Sequence, residues 1–273
     1  MIAHFKIKLR TLDPLTLPQF SGTIAKSLFL RLIAAVDPRA AIKAHEGASP
    51  RSYSVTPILH RGRPAPQLLP PGTQIELRVA IADDELAQTL VESLVVGEAQ
   101  RLHLGRTRLY TEAIDARLIR HSDLPAGTFT GARVEFHTPV RFSVASTAKR
   151  RKTKFRLFPT PEHLFHSLSD HWDLYAPEGL KTPAWLPALV QDYIVETGYR
   201  LRRTALKATQ GRVLVGSTGW VNYRPVEPVN DEGWLNRLLA YGELFNAGTG
   251  HSLGLGMMTW TPLKPREGED SSE

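Results

Sequence analysis

The 273-residue chain contains no cysteine. Disulfides and thiolate metal sites are therefore excluded. Long apolar runs are missing as well: no stretch approaches the roughly 18 residues of a membrane-spanning helix. The opening "MIAHFKIKLRTL" has no resemblance to a signal peptide and alternates instead like a strand. A soluble, cytoplasmic protein with no membrane partner is expected. Acidic residues are outnumbered, 27 against 34 Lys and Arg, for a net charge of +7. Residues 266–273, "REGEDSSE", form an acidic tail of net charge −3, which leaves +10 on the body. A basic body suits a polyanionic partner.

What is present begins with enough apolar residue, 42%, for packed cores, and a length that at about 150 residues per domain predicts two. "HFKIKLRTL" alternates Phe5, Ile7 and Leu9 with basic residues, the pattern of a half-buried strand. In "LPQFSGTIAKSLFLRLIAAVDP", Phe20, Ile24, Leu28 and Leu32 recur every fourth residue, one buried helix face. Pro18 suits the first position of that helix and Pro38 closes it. "RSYSVTPIL" and "TQIELRVAIA" read as strands. Asp83 to Val96 reads as a helix with acidic residues in its first turn, and "RLHLGRTRLYTEAIDARLI" as one long extended segment. Strand, helix, strand, strand, helix, strand is the split βαβ order of a ferredoxin-like fold.

The second half repeats the theme less regularly. Gly131 to Phe142 reads as a strand, and "TPEHLFHSLSDHW" as a helix with Thr160 as N-cap and Pro161 at its first position. "GYRLRRTALKA" and "GRVLVGSTGWVNYRP" pair around Thr209, Gln210 and Gly211. Asp231 to Ala247 is a helix with Trp234, Leu238, Leu239 and Phe245 on its apolar side, and "LGMMTWTPL" is a last strand. The turn residues of "SDLPAGTFTG" set a boundary near 123–131. The expected class is α+β, with two ferredoxin-like (βαββαβ) domains in tandem over 1–125 and 126–265.

Between the last helix and strand lies "NAGTGHSLGLG". A phosphate cradle needs the order strand, glycines, helix, so that a helix N-terminus faces the anion. Here the order is reversed and the Lys-Ser/Thr pair is missing, so a nucleotide site is rejected. "AGTGHSLGLGMM" instead resembles the C-terminal glycine-rich loop of the RAMP superfamily of CRISPR-associated proteins. Gly248, Ser252, Leu253, Gly254 and Gly256 match its pattern, and Leu255 replaces the usual aromatic residue. "HEGASPRSYSVTPIL", "HTPVRF" with the following "FPTPEHLFHSL", and "GSTGWVNYR" extend the resemblance over most of the chain, in the order found in the repeat-processing endoribonucleases, the Cas-six type.

That resemblance implies an endoribonuclease that cuts CRISPR precursor transcripts within repeats and releases guide RNAs. It implies no metal or cofactor, and attack by the RNA's own 2′-hydroxyl to leave a 2′,3′-cyclic phosphate and a 5′-hydroxyl. It implies repeat RNA as partner, with effector subunits and a homodimer as further associations. A RAMP-fold subunit that holds guide RNA without cutting is the alternative, and a generic basic RNA-binding protein a weaker one.

Such a reaction needs a base for the 2′-proton, an acid for the 5′-oxygen and a cation or donors for the phosphorane. Histidine suits the base, its ordinary pKa being near 6.5. Of ten histidines, His45 sits at the matched position, read as a polar loop after the first helix. Lys26, on the polar side of that helix, and Lys43 are candidates for charge stabilisation. Ser49 and Tyr53 are candidate hydrogen-bond donors, although Tyr53 also suits the start of a packed strand. Within the glycine loop, Gly248, Gly250, His251 and Ser252 are expected to meet the RNA backbone. Lys149, Arg150, Arg151, Lys152, Lys154 and Arg156 form a basic run suited to phosphates, or simply a solvated loop. Arg200 and Arg202 share one strand face, with Arg203 opposite. Tyr199 and Trp220 are candidates for base stacking, although Trp220 suits core packing better.

Overall fold

The structure, a computed structural model, describes residues 1–47, 50–95, 102–144, 154–207 and 213–265. In the first half, β1 (Ile2–Thr11) and β2 (Leu15–Thr16) lead to α1 (Gly22–Val36) and α2 (Pro38–Glu46). Then come β3 (Tyr53–Val55), β4 (Leu59–His60), β5 (Arg63–Pro64), β6 (Leu68–Leu69), β7 (Gln74–Ile81), α3 (Asp84–Val95), β8 (Leu102–Leu104) and β9 (Thr107–Ile119). The second half runs β10 (Ala132–Val140), β11 (Phe142–Val144), β12 (Lys154–Arg156), α4 (Pro161–Tyr175) and α5 (Leu186–Tyr193). It ends with β13 (Ile194–Lys207), β14 (Val213–Pro225), α6 (Trp234–Phe245) and β15 (Met258–Pro262).

Both halves thread their main sheets alike. In the first, β1 lies between β9 and β7, and β3 pairs on the far side of β7. In the second, β10 lies between β15 and β14, and β13 pairs on the far side of β14. All these pairings are antiparallel, and in each four-strand set (β1, β3, β7, β9 and β10, β13, β14, β15) the first strand sits between the fourth and the third. Helices cover one face of each sheet because the strands alternate. Phe5, Ile7 and Leu9 of β1 are buried, while Lys6 and Lys8 lie opposite Arg78 and Glu76 on the other face.

The first core gathers those β1 residues with Leu28, Phe29, Leu32 and Ile33 of α1. Their spacing of three and four holds one face of α1 on the sheet. Each such side chain contributes about 1.5–3 kcal/mol on burial, so Phe29→Ala would cost roughly 3–5 kcal/mol. The second core centres on Trp172, Tyr223 and Tyr241, and takes in Ile2 and Ala80 from the first sheet, so the halves share packing.

Four sequence expectations change here. The first helix begins at Gly22, not at Pro18, because β2 pairs with β6 and holds the chain extended, with the Leu17 N–H on the Gln67 carbonyl. Phe20 therefore lies off the helix and packs on Leu214 and Leu255. Pro38 does end α1, since the residue before a proline is driven out of helical conformation, and Asp37 has φ −134°. It also opens a second helix, α2: Pro38 stands at its first turn, and the Asp37 carboxylate accepts from the Arg39 and Ala40 N–H groups at 2.8 and 3.1 Å. Finally, the extended segment after α3 folds back at Gly105 (φ +61°) into the β8–β9 hairpin. The Thr209–Gly211 turn and the acidic tail lie outside the described residues.

Candidate active site

The helices α1 and α2 diverge from the Asp37–Pro38 elbow and leave a groove between them. Lys26 and Ser27 stand on the α1 wall, Ala41 and His45 on the α2 wall, and Leu253 of the glycine loop closes one end. His45 is exposed in the last turn of α2. Lys26 is partly buried, and its ammonium pKa is lowered by that burial and by the nearby Arg51 guanidinium. The groove thus holds an imidazole and a cation, with backbone of the second half at its end.

Arg51 ties this end of α2 down. Its Nη2 donates to the His45 carbonyl at 2.8 Å, capping one of the orphan carbonyls of a helix C-terminus. Arg51's own carbonyl accepts from two buried imidazoles of the second half: His171 Nε2 at 2.8 Å and His251 Nε2 at 3.2 Å. The preceding Pro50 carbonyl accepts from the Tyr175 hydroxyl at 2.8 Å. Burial pushes His171 down to about 3 and His251 to about 4, so both rings are neutral near pH 7. A carbonyl only accepts, so the His171 Nε2 carries its proton, while at His251 the Gly248 carbonyl competes with that of Arg51 for the ring N–H. The His171 Nδ1 is then bare and accepts from the Tyr241 hydroxyl at 2.6 Å.

The glycine loop is wedged between the halves. Gly248, Gly250, Gly254 and Gly256 all have positive φ. A Cβ on Gly256 would lie 1.8 Å from the Ala247 carbonyl oxygen, and one on Gly254 would lie 2.7 Å from the Pro57 nitrogen. Gly22 at the start of α1 meets the same constraint, 1.8 Å from the Leu253 carbonyl oxygen. Asn246, itself at φ +63°, donates through Nδ2 to Ser54 Oγ, the Val55 carbonyl and the His251 carbonyl at 2.8–3.2 Å.

Residues 134–258 match the family model of CRISPR-associated endoribonuclease Cas6. Over that stretch the chain resembles the Cas6 endoribonucleases. Among solved structures, a Thermus thermophilus Cas6 in a product complex superposes with a TM-score of 0.76 at 24% identity, covering 96% of this chain and all (100%) of that one. Another structure of the same Cas6 gives 0.70 at 21%, covering 96% and 98%. A Cas6-related protein from Pyrococcus furiosus gives 0.61 at 16%, covering 96% and 99%. At these identities the likeness is one of fold. Comparison with curated proteins finds no match.

On this Cas6-like fold the sequence-derived candidates separate. Lys26 and His45 share the groove, but His45 stands on a helix rather than in the expected loop. Lys43 points to the other side of α2, into a second cleft, where it pairs with Glu85 at 3.6 Å. Tyr53 is core, fully buried against Phe29 with ring centroids 4.8 Å apart. Burial raises its hydroxyl to about 12. His251 is buried in the interior rather than presented to a ligand. The loop amides of Gly248, Thr249, Leu253, Gly254, Leu255 and Gly256 donate to protein acceptors, so they are not turned outward as expected. The reason is the wedge: a loop between two packed halves meets backbone on both sides. Gly250 and Ser252 are partly exposed. Ser49 and the run Lys149, Arg150, Arg151 and Lys152 lie outside the described residues.

Lys154 and Arg156 are exposed on β12, which pairs with β11. Arg200 and Arg202 lie opposite Trp220 and Thr218 on the helix-free face, while Arg203 lies opposite Ser217. Trp220 is stacked under the Arg133 guanidinium, 3.8 Å from Cζ to ring centroid, rather than buried in the core. Tyr199 is 60% exposed at the sheet edge and meets Phe158 edge-on at 5.2 Å. The inner end of this hairpin reaches the first half, where the Lys207 N–H donates to Gln19 Oε1 at 3.1 Å.

Sequence reading missed Arg51, Asn246, His171, Tyr175 and Tyr241. His171 carried a signal: it falls three residues after Leu168 and beside Trp172, on the apolar stripe of α4. Arg51 carried none, since its role depends on groups 120 and 200 residues away.

Proposed function

We propose that this chain cleaves CRISPR repeat RNA by attack of the 2′-hydroxyl on the adjacent phosphate, with His45 as general base and Lys26 stabilising the phosphorane. The observation that carries the reading is the α1–α2 groove, which puts the exposed His45 imidazole and the Lys26 ammonium on facing walls beside the glycine loop, in a chain that matches the Cas6 family. Lys26's lowered pKa also eases proton release toward the departing 5′-oxygen. No metal takes part in this scheme. The two halves are read as tandem ferredoxin-like domains, and the hairpin cations Arg200 and Arg202, with Lys154 and Arg156, as phosphate contacts that orient the repeat.

The test is the end chemistry of repeat RNA incubated with the pure protein in excess EDTA. The expected products carry a 2′,3′-cyclic phosphate and a 5′-hydroxyl. His45→Ala should slow cleavage by about 10²–10⁴-fold while leaving repeat affinity intact. Lys26→Ala should cost about 10²-fold. A 3′-hydroxyl product, or a wild-type protein that binds the repeat without cutting it, overturns the reading; the second result favours a guide-holding subunit.

A further inference from the structure

Three side chains of the second half converge on two consecutive carbonyls of the first. Tyr175 holds Pro50, and His171 and His251 both hold Arg51. Two donors on one backbone carbonyl occupy both of its lone pairs. Their rings stand nearly perpendicular, with centroids 4.8 Å apart at 77°, so they approach that oxygen from different directions. His171 is fixed in turn by the Tyr241 hydroxyl and by Phe245, whose ring centroid lies 4.9 Å away. His251 is fixed by the 3₁₀ turn of the glycine loop, His251–Leu253.

The position so held is chemically consequential. Arg51 reaches from this anchor to the His45 carbonyl, and its guanidinium is among the charges that act on Lys26. One residue therefore joins the end of α2, the α1 cation and the second half. Nothing in the groove itself needs buried imidazoles: hydroxyls or amides would cap the same carbonyls. Imidazole adds a flat, rigid ring with a single donor in a fixed direction, and no rotatable hydrogen.

We infer that His171 and His251 are positioning residues for the groove: they hold the Arg51 backbone so that its side chain fixes the end of α2 and sets His45 against Lys26. The inference rests on the cleavage reading above. Displacement of a reacting group by about 1 Å costs on the order of 10²-fold in rate, so loss of this anchor acts on the chemical step more than on RNA affinity.

The test compares His171→Phe and His251→Phe, which keep a flat ring and remove the donor, with His171→Gln and His251→Gln, whose amide N–H restores a donor near Nε2. Single-turnover cleavage, repeat affinity and thermal unfolding are measured for each, beside wild type and His45→Ala. The Phe variants should cleave about 10- to 100-fold more slowly with affinity within about twofold, and the Gln variants should recover to within about threefold of wild type. Folded Phe variants that cleave at the wild-type rate, in a protein that His45→Ala inactivates, overturn the positioning role and leave the cleavage reading intact. A wild type that never cleaves overturns both. Should the Phe variants fail to fold, ¹⁵N spectra of the wild-type imidazoles decide: both rings are expected as neutral Nε2–H tautomers at pH 7, and an Nδ1–H tautomer at either ring removes the anchor.

Discussion

The two halves share a strand order, and two of their helix-borne imidazoles, His45 and His171, sit in opposite surroundings. Each places a pair of helices between its first and second long strands, α1–α2 and α4–α5. In the first half the seam between the pair opens to solvent, with Lys26 and His45 on its walls. In the second, α4 turns His171 inward among Trp172, Tyr241 and Phe245. The difference teaches a division of labour within one repeated topology. An exposed imidazole is placed to meet a ligand, whereas a buried one is desolvated into its neutral form and serves as a fixed hydrogen-bond donor. Neither half is complete alone, because the groove borrows Leu253 and the anchor borrows Arg51.

The largest test of that contrast is acid. Burial lowers His4, His121 and His251 to about 4 and His171 to about 3. Between pH 6.5 and about 4 the unfolded chain binds protons at these sites that the folded chain does not, so stability falls as pH falls. Urea unfolding should show a loss of several kcal/mol across that window, and His171→Gln should flatten it. Second comes the seam. Gly256→Ala places a methyl group against the Ala247 carbonyl at φ +69°, and should cost more than about 3 kcal/mol by urea unfolding. Gly62→Ala, at φ +76° with nothing within 4 Å, should cost about 1 kcal/mol.

A smaller effect is expected at the elbow. Asp37→Ala removes two N-cap hydrogen bonds and should cost about 1 kcal/mol, with a slower cleavage rate because α2 frays toward His45. Smallest of all, Lys43→Ala breaks an exposed ion pair on the far side of α2 and should change stability by less than about 0.5 kcal/mol. Its cleavage rate should match wild type; a loss as large as that of Lys26→Ala would move the site to the other cleft.

The strands and long helices were legible because one face of each is apolar at the right period, as in β1 and α6. The helix α2 was not, since in "PRAAIKAHE" the stripe that meets the core is only Ala40, Ala41 and Ala44, small residues over nine positions. Its start was nonetheless written in the Asp37-Pro38 pair, a cap followed by a first-turn proline. His45 and Lys26 were legible as chemistry, and their meeting needed the helix elbow. The burial of His251 was not legible. A glycine-rich loop reads as exposed, and only the approach of Pro57 and Ala247 shows that these glycines are there for closeness to protein backbone.

The loop wedged between the halves also sets an order of events during synthesis. His251 and Leu253 are translated some two hundred residues after His45, yet the groove and the Arg51 anchor lack a wall and a donor until they arrive. A nascent chain therefore carries the His45 imidazole long before its groove is closed and its anchor is made.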